Sequence, residues 1–250
     1  MNMQPDPSVI LDKLSITEPL IGFYDAPDAA PFKPLAVPGN HQCVFASFKK
    51  WHQGKTLHLT RDNPGCGGGH LFGVGTLCRE EMVEFLCDAE GLRADHELME
   101  LWLDAAKSYA PANDHLLIGP LRADQYDHLR TVTFYVNADQ LAVLCVGATY
   151  YSRPDEIPPV LAPFGSGCMQ LTTLFDNLEA PQALIGATDH ALRKYLEPWM
   201  LAFTVTRPMF ELLCRWAGDP KSSLHSGFLD GLIRARGGSL GQKDKDRKGV

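Results

Sequence analysis

The stretch PLAVPGNHQC (residues 34–43) has a partial second copy in the chain, PVLAPFGSGC (residues 159–168). The two stretches share two prolines and a cysteine at the same spacing. Each is followed by an apolar segment with helical periodicity and then by a short strand pattern, TLHLT (56–60) in one case and ALIGA (183–187) in the other. This repeated order predicts an internal duplication of two strand–helix–strand halves.

The similarity between the two halves extends upstream, where FYDAPD (23–28) resembles FYVNAD (134–139). Strand patterns alternate with helical ones along the chain, and short hairpin-like neighbours also occur. The predicted strands lie at 19–25, 34–38, 56–60, 116–121, 131–136, 160–164, 183–187 and 200–206. The sequence therefore predicts an α/β or α+β fold, with a mixed sheet and covering helices.

The chain has 250 residues, a length near the upper end for one domain. We expect a single domain over residues 1–240, with pseudo-repeats at about 17–110 and about 115–216. The last segment, 241–250, is polar and carries charges of both signs, a composition typical of a flexible tail.

Charge and hydropathy exclude several classes of protein. The formal net charge is -7, which argues against a general nucleic-acid binder because such proteins present a basic face. No apolar run approaches the ~18 residues of a membrane span, so we expect no membrane partner. The N-terminus lacks a basic region followed by an apolar stretch, so we expect a cytoplasmic protein with reduced cysteines.

The chain has seven cysteines, an odd number, and none of them forms a CxxC pair. Four of them lie in apolar periodic patterns that predict core positions: Cys78, Cys87, Cys145 and Cys214. The other three have a different context. Cys43 opens a helical pattern at 43–51, Cys168 opens another, and Cys66 lies among glycines. A helix N-terminus favours the thiolate form, which binds metals and attacks electrophiles.

The glycine-rich stretch around Cys66 reads NPGCGGGHLFGVG (63–75). It matches neither standard phosphate-binding pattern, and His70 stands where a phosphate-binding loop would want a lysine. Cys66 could act as a nucleophile with a histidine base, although the spacing alone does not specify that chemistry. In the structural alternative, the glycines form a tight turn and the thiols fill gaps in the core.

A metal site is the third interpretation. Three soft ligands, Cys43, Cys66 and Cys168, with His70 as a fourth, would suit zinc, cuprous copper or an iron–sulfur cluster. Their wide separation matches no standard metal-binding spacing, so the fold would have to assemble the site. Ligand-binding backbone N–H groups and a cationic side chain are expected at Gly65, Gly67, Gly68, Gly165, Gly167 and Arg193.

Four stretches carry a resemblance to a known family: PLAVPGNHQCVFASFKKWHQGKTLHLTRDNPGCGGG, TVTFYVNADQLAVLCVGATY, VLAPFGSGCMQL and GATDHALRKYLEPWMLAFTVT. Together they span roughly residues 17 to 215, and over this span the chain resembles the bacterial and archaeal family named domain of unknown function 169 (DUF169). The resemblance implies a shared pattern around the three cysteines and no mechanism for them. Asp189 and Arg193 stand where the family's acid and arginine are expected, but Ala–Thr intervenes after Gly186.

These observations favour a protein that binds a small ligand, a metal or an iron–sulfur cluster through cysteine thiolates in a cleft between two halves. Two other hypotheses stay open. One is an enzyme that uses Cys66 or Cys168 as a nucleophile or redox thiol. The other is an accessory protein whose motifs are purely structural.

Overall fold

The computed structural model describes residues 5–39, 43–65, 67–75, 78–153, 159–163 and 167–241. Within them, eight strands form one mixed sheet: β1 (Ile21–Ala26), β2 (Leu35–Ala36), β3 (Thr56–Leu59), β4 (His115–Pro120), β5 (Leu129–Val136), β6 (Val160–Leu161), β7 (Ala183–Gly186) and β8 (Leu201–Thr206). The predicted mixed sheet is confirmed, and each of the eight predicted strands coincides with one of these. The predicted tail begins at Gly241, and the rest of it lies outside the described residues.

Nine α-helices cover the sheet in the described residues: α1 (Ser8–Leu14), α2 (Phe48–His52), α3 (Arg79–Glu84), α4 (His96–Ala105), α5 (Ala138–Thr149), α6 (Gly167–Phe175), α7 (His190–Arg193), α8 (Arg207–Gly218) and α9 (Gly227–Ala235). None of them is long and apolar enough to cross a membrane.

Polar side chains set the start of several helices by accepting N–H groups that have no partner inside the helix. Asn137 accepts the N–H of Gln140 at 3.0 Å, and the Gln140 side chain accepts the N–H of Asn137 at 2.9 Å, which completes a capping box at α5. Asp95 accepts the N–H of Leu98 at 2.8 Å at the start of α4. These caps fix where the helices begin relative to the strands.

Each face of the sheet is buried under its own layer. The front face, defined by Phe23, Leu57, Ile118 and Leu184, is covered by α2, α3, α4, α6 and α7. The back face, defined by Tyr24, Leu117, Phe134 and Phe203, is covered by α1, α5, α8 and α9. Strand alternation produces this division, because neighbouring residues of a strand point to opposite faces.

The strand order is β2-β3-β4-β1-β5-β8-β7-β6. The first half of the chain contributes the order β2-β3-β4-β1, and the second half, read from the other edge of the sheet, contributes β6-β7-β8-β5. The strands of the two halves correspond one to one, so the halves have the same topology. β2 and β3 are parallel neighbours, as are β6 and β7. Every other pair in the sheet is antiparallel, including the central pair β1–β5.

The pairing registers also correspond between the halves. The Pro34 carbonyl accepts the N–H of Thr56 at 3.0 Å, and the Pro159 carbonyl accepts the N–H of Ala183 at 2.7 Å. Pro34 and Pro159 therefore hold equivalent positions in the two halves. The central pair is symmetric about Gly22 and Val132, which equates Tyr24 with Phe134. The similarity of FYDAPD to FYVNAD aligns Phe23 with Phe134, whereas the strand pairing aligns Tyr24 with Phe134, so the two alignments differ by one residue. The duplication itself stays a prediction.

The helical segments of the two halves cross over on the front face. The Phe45 carbonyl, from the first half, accepts the Tyr135 hydroxyl of β5 at 2.6 Å. The Phe175 ring, from α6 of the second half, lies 6.2 Å from Phe23 of β1 and 5.2 Å from Tyr109, between ring centroids. The helical segment of each half therefore makes at least one contact with a strand of the other half.

A buried carboxylate at the end of β1 anchors the segment that leads into β4. Asp25 is fully buried and accepts the Tyr109 hydroxyl at 2.6 Å, the Ala112 N–H at 2.8 Å and the Asn113 N–H at 2.9 Å. The guanidinium of Arg130 lies 3.9 Å away. A buried charge persists only when its hydrogen bonds are satisfied, and here one segment, residues 109–113, supplies them.

Asp25→Asn should therefore destabilise the protein. The amide would point a donor at groups that already donate, and we expect a loss of about 3 kcal/mol in the free energy of unfolding. Urea denaturation of the two proteins measures this loss. Asp114→Asn, at an exposed position of the same segment, is the matched control and should change stability by less than about 0.5 kcal/mol. Equal effects of the two substitutions would contradict the anchoring role.

Candidate functional site

The three predicted site cysteines belong to segments that meet on the front face. α6 packs against two 3₁₀ segments, Val44–Ala46 and Gly67–Phe72. Cys43 directly precedes the first of these segments, Cys66 directly precedes the second, and Cys168 is the second residue of α6. Cys66 itself lies outside the described residues. The fold thus brings α6 together with the two segments that follow Cys43 and Cys66, and the convergence of the three thiols stays a prediction.

Cys43 is half-buried and lies close to Tyr135. Burial first, and the Cys43 thiol second, raise the pKa of Tyr135 well above its ordinary value. The predicted helix at 43–51 is broken here, because the Phe45 carbonyl accepts the Tyr135 hydroxyl, and the helix α2 starts only at Phe48. Cys43 and Cys168 therefore do not both lie at the start of an α-helix, contrary to expectation. Cys43 precedes a short 3₁₀ turn, whereas Cys168 lies in the first turn of α6.

Cys168 occupies the position that the sequence predicts, at the start of a nine-residue α-helix. Its side chain is 4% exposed and packs in the front-face core with Leu171 and Leu174. The N–H groups of the first turn of α6 give this position a positive potential. The helix N-terminus favours a thiolate here, whereas the apolar surroundings disfavour one that has no metal partner.

The glycine-rich stretch folds tightly back on itself. Gly65 has φ +90°, in the left-handed region that favours glycine. A side chain at Gly69 would place its Cβ 2.5 Å from the Pro64 Cβ and 2.8 Å from the Pro64 carbonyl oxygen. The stretch also holds residues 109–113, because the Leu71 carbonyl accepts the Tyr109 N–H at 2.7 Å. At Gly65 and Gly69, backbone geometry and close packing account for the glycines.

Three of the other four predicted ligand-binding glycines lie in the described residues, within α6 or beside it. Gly67 and Gly68 begin the 3₁₀ segment Gly67–Phe72 and therefore lie beside α6. Gly167 is the first residue of α6. Gly165 lies outside the described residues. Their proposed backbone contacts to a ligand stay predictions.

His70, the predicted fourth ligand, is half-buried within the same 3₁₀ segment. In the part of the chain that the structure describes, which excludes Cys66, no three side chains of histidine, cysteine, aspartate or glutamate converge as a metal site would require. A site here therefore needs Cys66 to complete it.

Arg193 has a structural role. Its guanidinium donates to the Pro198 carbonyl at 2.7 Å and also to the Met200 carbonyl, which holds the turn before β8. Asp189, the acid of the same family segment, is 4% exposed and caps α7 by accepting the Ala191 N–H at 2.7 Å. These contacts give the predicted ligand-binding role of Arg193 no support.

A small cavity lies on the front face beside Tyr135. Phe45, Tyr135, Leu184 and Ala187 help to line a cavity of about 10 Å³, the space of one water molecule. Ala187 has φ +62°, an unusual conformation for a residue with a side chain, and its Cβ fills part of this region. An organic ligand does not fit in this cavity.

One of the predicted core cysteines is placed differently. Cys78 is exposed at the start of α3, so the prediction that it packs in the core was wrong. The helix α3 begins at Arg79, so its apolar periodicity starts after Cys78 and does not include it. Cys87 is buried, and Cys145 and Cys214 are partly buried.

The structure also shows an acidic contact between the halves that periodicity does not reveal. Glu90 follows a π-helical turn, Phe85–Ala89, in the first half. Burial first, and Asp189 of the second half next, raise the pKa of Glu90 to about 7, whereas Lys194 lowers it. In the sequence, Glu90 is only one more position of a periodic helix, so no local signal distinguishes it.

Replacing Gly69 tests the packing explanation of the glycine-rich stretch. Gly69→Ala should lower the free energy of unfolding by about 1–3 kcal/mol, because the added methyl group overlaps Pro64. Gly231→Ala in α9 is the control: its Cβ would lie 3.9 Å from the Arg234 guanidinium, an ordinary van der Waals contact, and helix propensity makes the change neutral or stabilising. Thermal or urea denaturation measures both variants, and a neutral Gly69→Ala would refute the packing explanation.

The raised pKa of Glu90 makes stability depend on pH in a defined direction. The folded protein holds this proton up to about pH 7, whereas the unfolded chain loses it near its ordinary pKa of 4.5. The stabilisation is thus complete below pH 4.5 and is lost as the pH rises through 7.

Glu90→Gln removes the charge, so this variant should be more stable than the parent at pH 8, by about 1 kcal/mol after discounting for the partial exposure of Glu90. The gain should shrink toward zero at pH 5. Urea denaturation at both pH values measures it, with exposed Glu81→Gln as the control. A gain that is the same at both pH values would contradict the assignment.

Comparison with known proteins gives a family and nothing more specific. No curated protein matches the chain, and no solved structure matches it. A family model matches residues 17–215, a span that includes all eight strands and the three site cysteines. The matching family is described as Uncharacterised ArCR. The chain therefore belongs to the DUF169 family, as its sequence motifs predict.

Proposed function

We propose that this protein binds a thiophilic metal ion or an iron–sulfur cluster through the thiolates of Cys43, Cys66 and Cys168, where its two halves cross. The packing of α6 on both 3₁₀ segments that follow the other two cysteines is the observation that supports this most directly. Sulfur ligands select zinc, cuprous copper and iron–sulfur clusters over hard cations.

Burial favours metal binding over nucleophilic catalysis. A nucleophilic thiol has to reach its substrate, but Cys168 is 4% exposed. Structural metal sites are closed and exclude other ligands, so they tolerate this degree of burial.

The local charge environment also supports thiolates at this position. The first turn of α6 directs N–H groups toward its N-terminus, next to Cys168. His70, in the 3₁₀ segment beside α6, is the candidate fourth ligand. The halves cross at this point, so a bound metal would also link them.

Metal analysis of protein purified without oxygen tests the proposal. We expect about one metal ion or one cluster per chain, measured by elemental analysis and by assay of acid-labile sulfide. Cys43→Ser, Cys66→Ser and Cys168→Ser should each lose it. Cys145→Ser and Cys214→Ser are matched controls, since these partly buried thiols pack against the back face. Parent protein without metal in both anaerobic and aerobic preparations would refute the proposal.

Thiol alkylation gives a second readout that does not depend on variants. Burial raises the pKa of Cys145, and it raises the pKa of Cys214 to about 12, so both should react slowly throughout. Exposed Cys78 should react at once and is best removed as Cys78→Ser. A chelator should then speed alkylation of Cys43, Cys66 and Cys168 together. An unchanged alkylation rate at these three residues would count against a shared metal.

A further inference from the structure

Two histidines form a close pair on the edge region of the sheet. His58 of β3 and His115 of the adjacent antiparallel strand β4 have Nε2 and Nδ1, respectively, 3.0 Å apart. Their ring centroids are 5.0 Å apart and their planes meet at 52°. His58 is directly opposite Leu117, so the two histidines are diagonal cross-strand neighbours, a separation that long side chains can bridge.

The pair lies away from the cysteine site. Leu57 and Leu59, on either side of His58, are buried in the front-face core, so strand alternation turns His58 toward the other side of the sheet. Both histidines are half-buried, which leaves the pair accessible to solvent. The pair therefore combines fixed ring positions with an open side.

The distance between the two nitrogens suits chelation. With metal–nitrogen bonds of about 2.0–2.1 Å, two imidazoles at right angles around a metal have nitrogens about 2.9 Å apart, and at a tetrahedral angle about 3.3 Å. The observed 3.0 Å is close to the right-angle value, which is typical of Cu²⁺ and Ni²⁺. Zn²⁺ would require the rings to separate slightly.

The metal-free pair already has the nitrogen separation of a chelating pair. The hydrogen bond directs the two nitrogens at each other, so chelation requires both rings to turn until their lone pairs converge on one point, at nearly the same separation of the nitrogens. A hydrogen bond between two imidazole nitrogens needs one of them as the acceptor, so at least one ring of the pair is in its neutral form. Metal ligation requires that neutral form.

We propose that His58 and His115 form a two-histidine site for a divalent transition metal, which binds Cu²⁺ and Ni²⁺ ahead of Zn²⁺. No third histidine, cysteine, aspartate or glutamate joins the pair within the described residues, so water fills the remaining positions. The site is open and exchangeable, in contrast to the closed cysteine site.

Calorimetric titration with Ni²⁺ near neutral pH tests the proposal on the full chain. The parent should bind one Ni²⁺ at this pair, and His58→Gln and His115→Gln should each weaken that binding by at least about tenfold, because removing a direct ligand costs no less than removing an outer-shell partner. His190→Gln, at an exposed histidine of α7, is the matched control and should bind like the parent. The cysteines are common to all four proteins, so differences among them report on the histidine pair alone.

Chemical modification locates the metal in the parent protein. Diethyl pyrocarbonate modifies neutral imidazoles, and peptide mapping by mass spectrometry identifies the modified residues. Ni²⁺ should protect His58 and His115 and leave His190 reactive. Binding that is equal in all four proteins, or protection of other histidines in place of this pair, would show an adventitious ion only and overturn the proposal.

Discussion

The antiparallel pairing of β1 with β5 is the contact on which the rest of the structure depends. It joins two four-stranded halves into one sheet and is symmetric about Gly22 and Val132. A slip of one residue in this pair would turn the side chains of one half to the wrong face. Phe45 could then no longer reach Tyr135, and Phe175 could no longer reach Phe23. The crossing on the front face therefore follows from this register.

On the front face, α6 packs on the segments that follow Cys43 and Cys66, and Cys168 is buried there. The histidine pair has the opposite character, because it lies on adjacent strands where the sheet is only partly covered. Closed sites suit a metal that is retained, and open sites suit one that exchanges. The two proposals therefore describe different chemistry in different parts of the same sheet.

Periodicity predicted the elements well because strands and helices bury faces with fixed repeats. All eight strands were found at the predicted places, and the equivalence of Pro34 and Pro159 follows from spacing alone. The failures have local causes. The helix from Cys43 is interrupted because a carbonyl is bound by a tyrosine ninety residues away in sequence, a contact that periodicity cannot show. The exposure of Cys78 at a helix start likewise depends on what packs there.

By itself, the sequence determined the class of fold, the positions of the strands and the family. Those properties follow from short-range patterns: side-chain period, proline and glycine positions, and the spacing of motifs. Only the tertiary structure decided that α6 packs beside the segments after Cys43 and Cys66, that Arg193 holds backbone carbonyls, and that His58 lies against His115. These are contacts between distant parts of the chain, and strand register and the crossing of the halves fix them.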